Sequence, residues 1–147
     1  MDFSVPDTTK QLLCELKDFI TNEVCPLEQR FVLGPFCDLL PELKRLRQRV
    51  RQQGGGLPQI PKVHGGMGLG FMDHAMVSEV LGRSPLGHYV FNAQAPDAGN
   101  MELLLAVGST TQRAEWLDPL LQGNIRSCFS MTEVDRPGSN PVWMETS

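Results

Sequence analysis

The segment from Ser109 to Glu133 constrains the whole chain. Ser109-Thr110-Thr111-Gln112 fits a capping box, in which the serine hydroxyl and the glutamine amide each satisfy an orphan backbone donor at a helix start. Trp116, Leu117, Leu120 and Leu121 follow at helical spacing as the predicted buried face, and Gly123 is placed to stop the helix. The run Ser127–Thr132 then reads as a strand, closing on Thr132-Glu133. A chain written this way is a helical domain with an extended exit, provided that the residues upstream repeat the helical pattern.

They do. Leu12, Leu13, Leu16, Phe19, Ile20, Val24 and Leu27 recur at helical spacing and predict a first helix from about Thr8 to Val24. Its wet face would hold Lys10, Glu15, Lys17, Asp18 and Glu23, its cap would be Asp7 or Thr8, and Pro26 would end or kink it. Gly34-Pro35 marks a connection. A second helix from about Pro41 to Gln52 carries the stripe Leu39, Leu40, Leu43, Leu46 and Val50. Residues 53–70 hold two glycine clusters with Pro58 and Pro61 between them and read as one long loop. A third helix covers about Phe71 to Leu81, stopped by Gly82; a short one lies within 86–95. Asn100 to Val107 is apolar nearly all round, which predicts a place at the centre of the core. From Val134 to Ser147 no periodicity remains.

Several function classes find no footing. The chain has 147 residues and a net charge of -4, enough for one domain with a core and no prior for nucleic acid or membrane. No apolar run approaches the ~20 residues that span a bilayer. Neither a targeting peptide nor a Ser-Lys-Leu tail is evident. Cys14, Cys25, Cys37 and Cys128 form no C-x-x-C pair and are expected as reduced, packing thiols. His64, His74 and His88 lack ligand spacing, so no metal is expected, and no nucleophile elbow is present. Glu79, Glu102 and Glu115 fall on predicted helices, and nothing singles one out as a base. Gly66-Met67-Gly68-Leu69-Gly70 fails as a dinucleotide fingerprint, because Phe71 stands where the third glycine belongs. Lys44, Arg45, Arg47, Arg49 and Arg51 are expected to form a solvated basic face, with the acids of the first helix as a local counterweight; an anionic-ligand or membrane role is the alternative. Gln94-Ala95-Pro96-Asp97-Ala98-Gly99-Asn100 reads only as a turn with a cap.

The order of these pieces carries more than any one of them. Glu23-Val24-Cys25-Pro26-Leu27-Glu28, Gly65-Gly66-Met67-Gly68-Leu69, Ser78-Glu79-Val80-Leu81-Gly82-Arg83-Ser84, Ala95-Pro96-Asp97-Ala98-Gly99-Asn100-Met101-Glu102 and Trp116-Leu117-Asp118-Pro119-Leu120-Leu121-Gln122-Gly123 succeed one another along the chain. In that order, from about Phe3 to Glu133, the chain resembles the acyl-CoA dehydrogenase family, and most of all the branch fused to kinase-like domains. The resemblance implies a mainly α fold: the family's N-terminal helical bundle over residues 1–126, then one incipient β-strand at the start of a flavin-binding β-domain over 127–147.

It also implies FAD-dependent α,β-dehydrogenation of acyl-CoA thioesters. By resemblance, Phe129, Ser130, Met131, Thr132 and Glu133, with Ser139, meet the flavin. Gln94, Ala95, Gly99 and Ser139 line the path of the acyl chain. The proton-abstracting glutamate and the next flavin strand belong to later parts of the family's sequence, so no catalytic residue is expected here. The text after Glu133, Val134-Asp135-Arg136-Pro137-Gly138-Ser139-Asn140, departs from the family's usual proline and small residues. The chain is therefore expected to be a truncated form, inactive alone. The alternative is a non-catalytic helical module that binds a full-length relative or another partner. The family's compartments are the mitochondrial matrix and the peroxisome.

Overall fold

A computed structural model describes residues 4–136 and 140–145. Every regular element among them is helical. The first helix, α1 (Asp7–Phe19), buries Thr9 and Leu16 and exposes Lys10, Glu15, Lys17 and Asp18. Pro6 holds the N-cap position and no side chain caps this end, so neither Asp7 nor Thr8 plays that part. Thr9 instead donates its Oγ1 hydrogen to Asp73, at 3.0 Å.

Pro26 redirects the helix rather than ending it. The chain widens into a π turn at Ile20–Val24, tightens into a 3-10 turn at Cys25–Leu27, and resumes as α2 (Glu28–Leu33). Proline has no N–H to give the carbonyl four residues back, and a wider turn immediately before it absorbs the misfit. Ile20 and Val24 stay fully buried across the change. A 3-10 turn at Phe36–Leu39 leads into α3 (Leu40–Gln52), with Pro41 in the first turn, where its missing N–H costs nothing. Leu43, Leu46 and Val50 are its buried stripe. Each such side chain contributes roughly 1.5–3 kcal/mol by leaving water.

The loop 53–70 is pinned at both ends of its path. Leu57 and Ile60 are buried, and the amides of Met67, Gly68 and Leu69 bond back to Leu57, Ile60 and Pro58. Gly66 passes so close to Ile60 that an added Cβ would lie 2.1 Å from its carbonyl oxygen. After the loop come α4 (Phe71–Leu81), α5 (Gly87–Val90), α6 (Asp97–Val107), α7 (Thr110–Gln112) and α8 (Asp118–Leu121), the last two joined by a π turn at Arg113–Leu117. The capping box forms in full at Ser109 and Gln112.

The interior divides in two. One cluster gathers α1, the first π turn, α3, α4, α5 and Phe91, with the rings of Phe19 and Phe91 edge-on at 5.6 Å. The other holds Leu57, Ile60, Met101, Leu117 and Leu120.

Four further expectations are corrected. The apolar helix near Asn100–Val107 is peripheral: of α6 only Asp97 and Met101 are buried, while Leu103 and Val107 are 56% and 74% exposed. It has partners on one side alone, so apolar composition all round does not make it central. Trp116 is not on the buried face, being 52% exposed where the π turn rotates it outward from Leu117. Residues 126–133 form neither helix nor strand, because no second strand exists among the described residues to complete a ladder. The cysteines are free, and Cys14, Cys37 and Cys128 are exposed rather than packed. Among the described residues no helix is long and apolar enough to cross a membrane.

Candidate functional site

The two segments singled out by resemblance, 94–99 and 127–133, meet at one buried carboxylate. Asp97 opens α6 and is 0% exposed. Its Oδ1 accepts the backbone N–H of Ser127 at 2.8 Å and the Ser127 hydroxyl at 2.6 Å. Its Oδ2 accepts Arg126 Nε at 2.5 Å and also a hydrogen from Gln94 Nε2. Asn100, one helical turn on, donates to Ser127 Oγ at 2.9 Å and to the Cys128 carbonyl at 3.4 Å. Burial works to raise the pKa of Asp97, and hydrogen bonds from Ser127 and Arg126 overcome it, holding the carboxyl below its ordinary value. Asp97 is thus ionised and fully engaged, a fastening rather than a proton acceptor.

A cationic stack stands behind it. The guanidinium of Arg126 lies 4.9 Å from the centre of the Tyr89 ring, and that of Arg47 lies 4.7 Å from the same ring. Arg47 also donates to the Tyr89 carbonyl and, at 2.8 Å, to Asn92 Oδ1. The basic face of α3 is therefore only partly the solvated one expected. Arg45 and Arg49 bridge to Glu23 at 3.9 and 2.8 Å, which is the predicted counterweight, while Arg47 and Arg51 turn to backbone and amide acceptors.

Of the site residues named from sequence, Gln94 is brought to the clamp, and its Oε1 is buried with no partner. Ala95 and Gly99 lie on the outer side of the same turn, exposed, and a Cβ at Gly99 would meet nothing within 4 Å. Phe129, Ser130 and Thr132 are exposed and Met131 is half-buried; the backbone groups of Phe129–Thr132 have no hydrogen-bond partner among the described residues. Glu133 accepts the Glu145 amide at 3.0 Å. Ser139 lies outside the described residues. Asp97, Asn100, Arg126 and Tyr89 were not singled out. The one signal available was an acid and a base of opposite charge near the two ends of the helical pair, too far apart in sequence to pair by spacing.

Two other features carry no comparable chemistry. Ser78 Oγ and His88 Nε2 are 2.8 Å apart, with burial and His74 lowering the His88 pKa, and among the described residues no acceptor orients the ring from behind. A cleft of about 590 Å³ between α1 and Gly54-Gly55 is lined by none of the residues that the resemblance assigns to flavin or acyl chain.

Fold and site together define an all-helical domain whose exit segment is fastened to a turn by a buried acid. Residues 6–124 match the acyl-CoA dehydrogenase N-terminal domain. The chain is 41% identical over 146 residues to acyl-CoA dehydrogenase family member 11 of Gallus gallus, a match covering 94% of this chain and 18% of that protein. With the FadE2 protein of Mycobacterium tuberculosis, also named for this family, identity is 34% and the match covers 100% of this chain, residues past Glu133 included, and 37% of that protein. A solved structure from Mycobacterium abscessus, described as an acyl-CoA dehydrogenase, superposes with a TM-score of 0.83 at 35% identity, covering 95% of this chain and 38% of that one. The chain belongs to the acyl-CoA dehydrogenase family. It spans less than a fifth of the Gallus gallus relative and under two-fifths of the two mycobacterial ones.

Proposed function

We propose that this chain supplies the N-terminal helical wall of an FAD-dependent acyl-CoA dehydrogenase, with residues 1–126 as the helical domain and 127–147 as the entry to the flavin-binding β-domain. The observation that carries the reading is the Asp97 clamp. It fastens the turn assigned to the acyl path onto the segment assigned to the flavin, so that two walls of one site move as a unit. Bond formation between cofactor and substrate demands placement within a fraction of an ångström, and a shared rigid support is how a fold achieves it.

The residues present fit the flavin on one side. The unpaired N–H and C=O groups of Phe129–Thr132 offer the alternating donors and acceptors that a pyrimidine edge needs. FAD, when bound, would accept hydride from the substrate's β-carbon. Phe129, Met131 and Thr132 would hold its edge, with Ser130, Glu133 and Ser139 beside them. Gln94 Oε1, a buried acceptor without a donor, would be satisfied by a ligand or a water in the acyl path beside Ala95 and Gly99. The α-proton acceptor would come from outside this chain's residues, since Asp97, the carboxylate of the clamp, is already engaged.

The chain alone is expected to bind flavin weakly and to leave acyl-CoA unoxidised. A chimera tests the reading: residues 6–133 replace their counterpart in the Mycobacterium abscessus relative. Retained flavin absorbance and acyl-CoA-dependent reduction of an electron acceptor support it. A folded chimera that purifies without flavin overturns it. The second reading, a non-catalytic module that binds a full-length relative, draws on the exposure of Phe71, Met72, Leu103 and Val107, at 85%, 68%, 56% and 74%. It is favoured if the chain co-purifies with such a relative and the chimera lacks flavin.

A further inference from the structure

Arg47 and Arg51 of α3 carry their charge with no carboxylate in ion-pair contact among the described residues. Their neighbours Arg45 and Arg49 share Glu23, and Arg126 has Asp97. Among the described residues Arg47 hydrogen-bonds to the Tyr89 carbonyl and Asn92 Oδ1 and lies over the Tyr89 ring, and Arg51 hydrogen-bonds to the Gln122 carbonyl, at 2.9 Å. The carboxylate whose field reaches Arg47 is Asp97, already bound by Arg126 and Ser127. Burial pushes the Arg47 pKa down, with Tyr89 and Asp97 acting against that push and Arg126 and Arg51 adding to it. A half-buried guanidinium with only neutral acceptors is a cost that a counter-anion would relieve.

The same two arginines line a cleft of about 240 Å³ together with His64 and the loop glycines Gly54, Gly56 and Gly65. Among the described residues no aspartate or glutamate lines it, and Val90 and Phe91 contribute apolar surface. Gly56 is buried, and its N–H has no acceptor among the described residues. Most N–H donors of both guanidinium groups are uncommitted, and their planar forks suit an oxyanion that can accept two bonds from each.

We propose that this cleft binds the phosphate group of a small phosphorylated molecule. Two guanidinium charges, an imidazole and an unpaired amide match a dianion better than a carboxylate. The apolar surface accommodates a short carbon skeleton, and the volume lies below the ~300–1,000 Å³ of pockets that take drug-sized ligands. The site is separate from the acyl and flavin segments, and the proposal does not rest on the dehydrogenase reading. Arg47 is the inner contact. Arg51 and His64 stand at the rim, where substitution leaves the core untouched.

The test is thermal unfolding of the chain titrated with inorganic phosphate and with glycerol phosphate, against sodium chloride at matched ionic strength. A ligand that binds only the folded state raises the midpoint saturably. The expected result is a saturable rise with both phosphates and none with chloride. R51Q should weaken the apparent affinity roughly tenfold, as for a lost charge-assisted bidentate contact, and H64Q by a smaller factor. K44Q, which removes an exposed charge of the same helix outside the cleft, should leave it unchanged. The proposal is overturned if phosphate acts no more than chloride, if folded R51Q keeps the wild-type affinity, or if K44Q weakens binding as much as R51Q.

Discussion

Asp97 concentrates more of this structure than any other side chain. It is the one fully buried carboxylate among the described residues, and it closes contacts to Gln94, Arg126 and Ser127. Removing one partner of a buried charged contact costs several kcal/mol, whereas Arg126 is 44% exposed and recovers some hydration. Asp97→Asn is therefore expected to lose about 2–3 kcal/mol in chemical denaturation at pH 7. The pH dependence has a definite sign. The folded pKa lies below the ordinary 3.8, so the stabilisation is complete above that value and disappears as pH falls through the folded pKa. Wild-type stability should decline more steeply below about pH 4 than that of Asp97→Asn, and parallel profiles would show that the clamp is not ionised.

At the scale of elements, what repeats locally was legible and what depends on distant partners was not. Leu43, Leu46 and Val50 of α3 and the bounds of α4 followed from spacing alone, because each helix carries its own period and its own stop; Leu40, expected in the same stripe, is instead 42% exposed at the first residue of α3. The capping box at Ser109 was legible for the same reason, with both of its bonds formed within one turn. Ser109→Ala should cost about 1 kcal/mol in the denaturation midpoint, with Ser109→Asp close to wild type, since either side chain accepts from the third amide. Pro26 left two outcomes open, an end or a kink, because a proline forbids one bond and does not say whether the chain stops or widens past it; the structure takes the second. Trp116 misled because the π turn shifts the helical phase by about a residue. The clamp was illegible because Asp97 lies 29 and 30 residues from Arg126 and Ser127, and nothing in a turn sequence announces a partner at that separation. The exit segment shows the converse: residues 127–132 have strand-like composition, yet a strand exists only where another chain segment pairs with it.

For the molecule as a whole, the question is what joins two separate apolar clusters into one cooperative unit. Burial predicts unequal sensitivity along α6. Met101→Ala should cost about 2–4 kcal/mol, while Val107→Ser, on the same helix and 74% exposed, should stay within about 0.5 kcal/mol. The joint itself runs through Asn92. It is 7% exposed, adopts a positive φ of 55°, accepts from Arg47, and donates to the Leu120 and Leu121 carbonyls at the end of α8. One amide thus ties the helix of the first cluster to the helix end of the second, and Gly123, with φ of 68°, turns the chain away beside it. Two variants separate backbone from side chain. Asn92→Gly tolerates the left-handed conformation and removes only the amide; Asn92→Ala removes the amide and strains the backbone as well. If the amide is the joint, both lose about 2 kcal/mol or more, with alanine the worse by about 1 kcal/mol. Hydrogen exchange should then quicken first in α8 and the π turn before it, while α3 keeps its protection, because the second cluster has fewer buried side chains to hold it closed. Uniform loss of protection across both clusters in Asn92→Gly would show that the apolar contacts alone couple them and that Asn92 merely fills its turn.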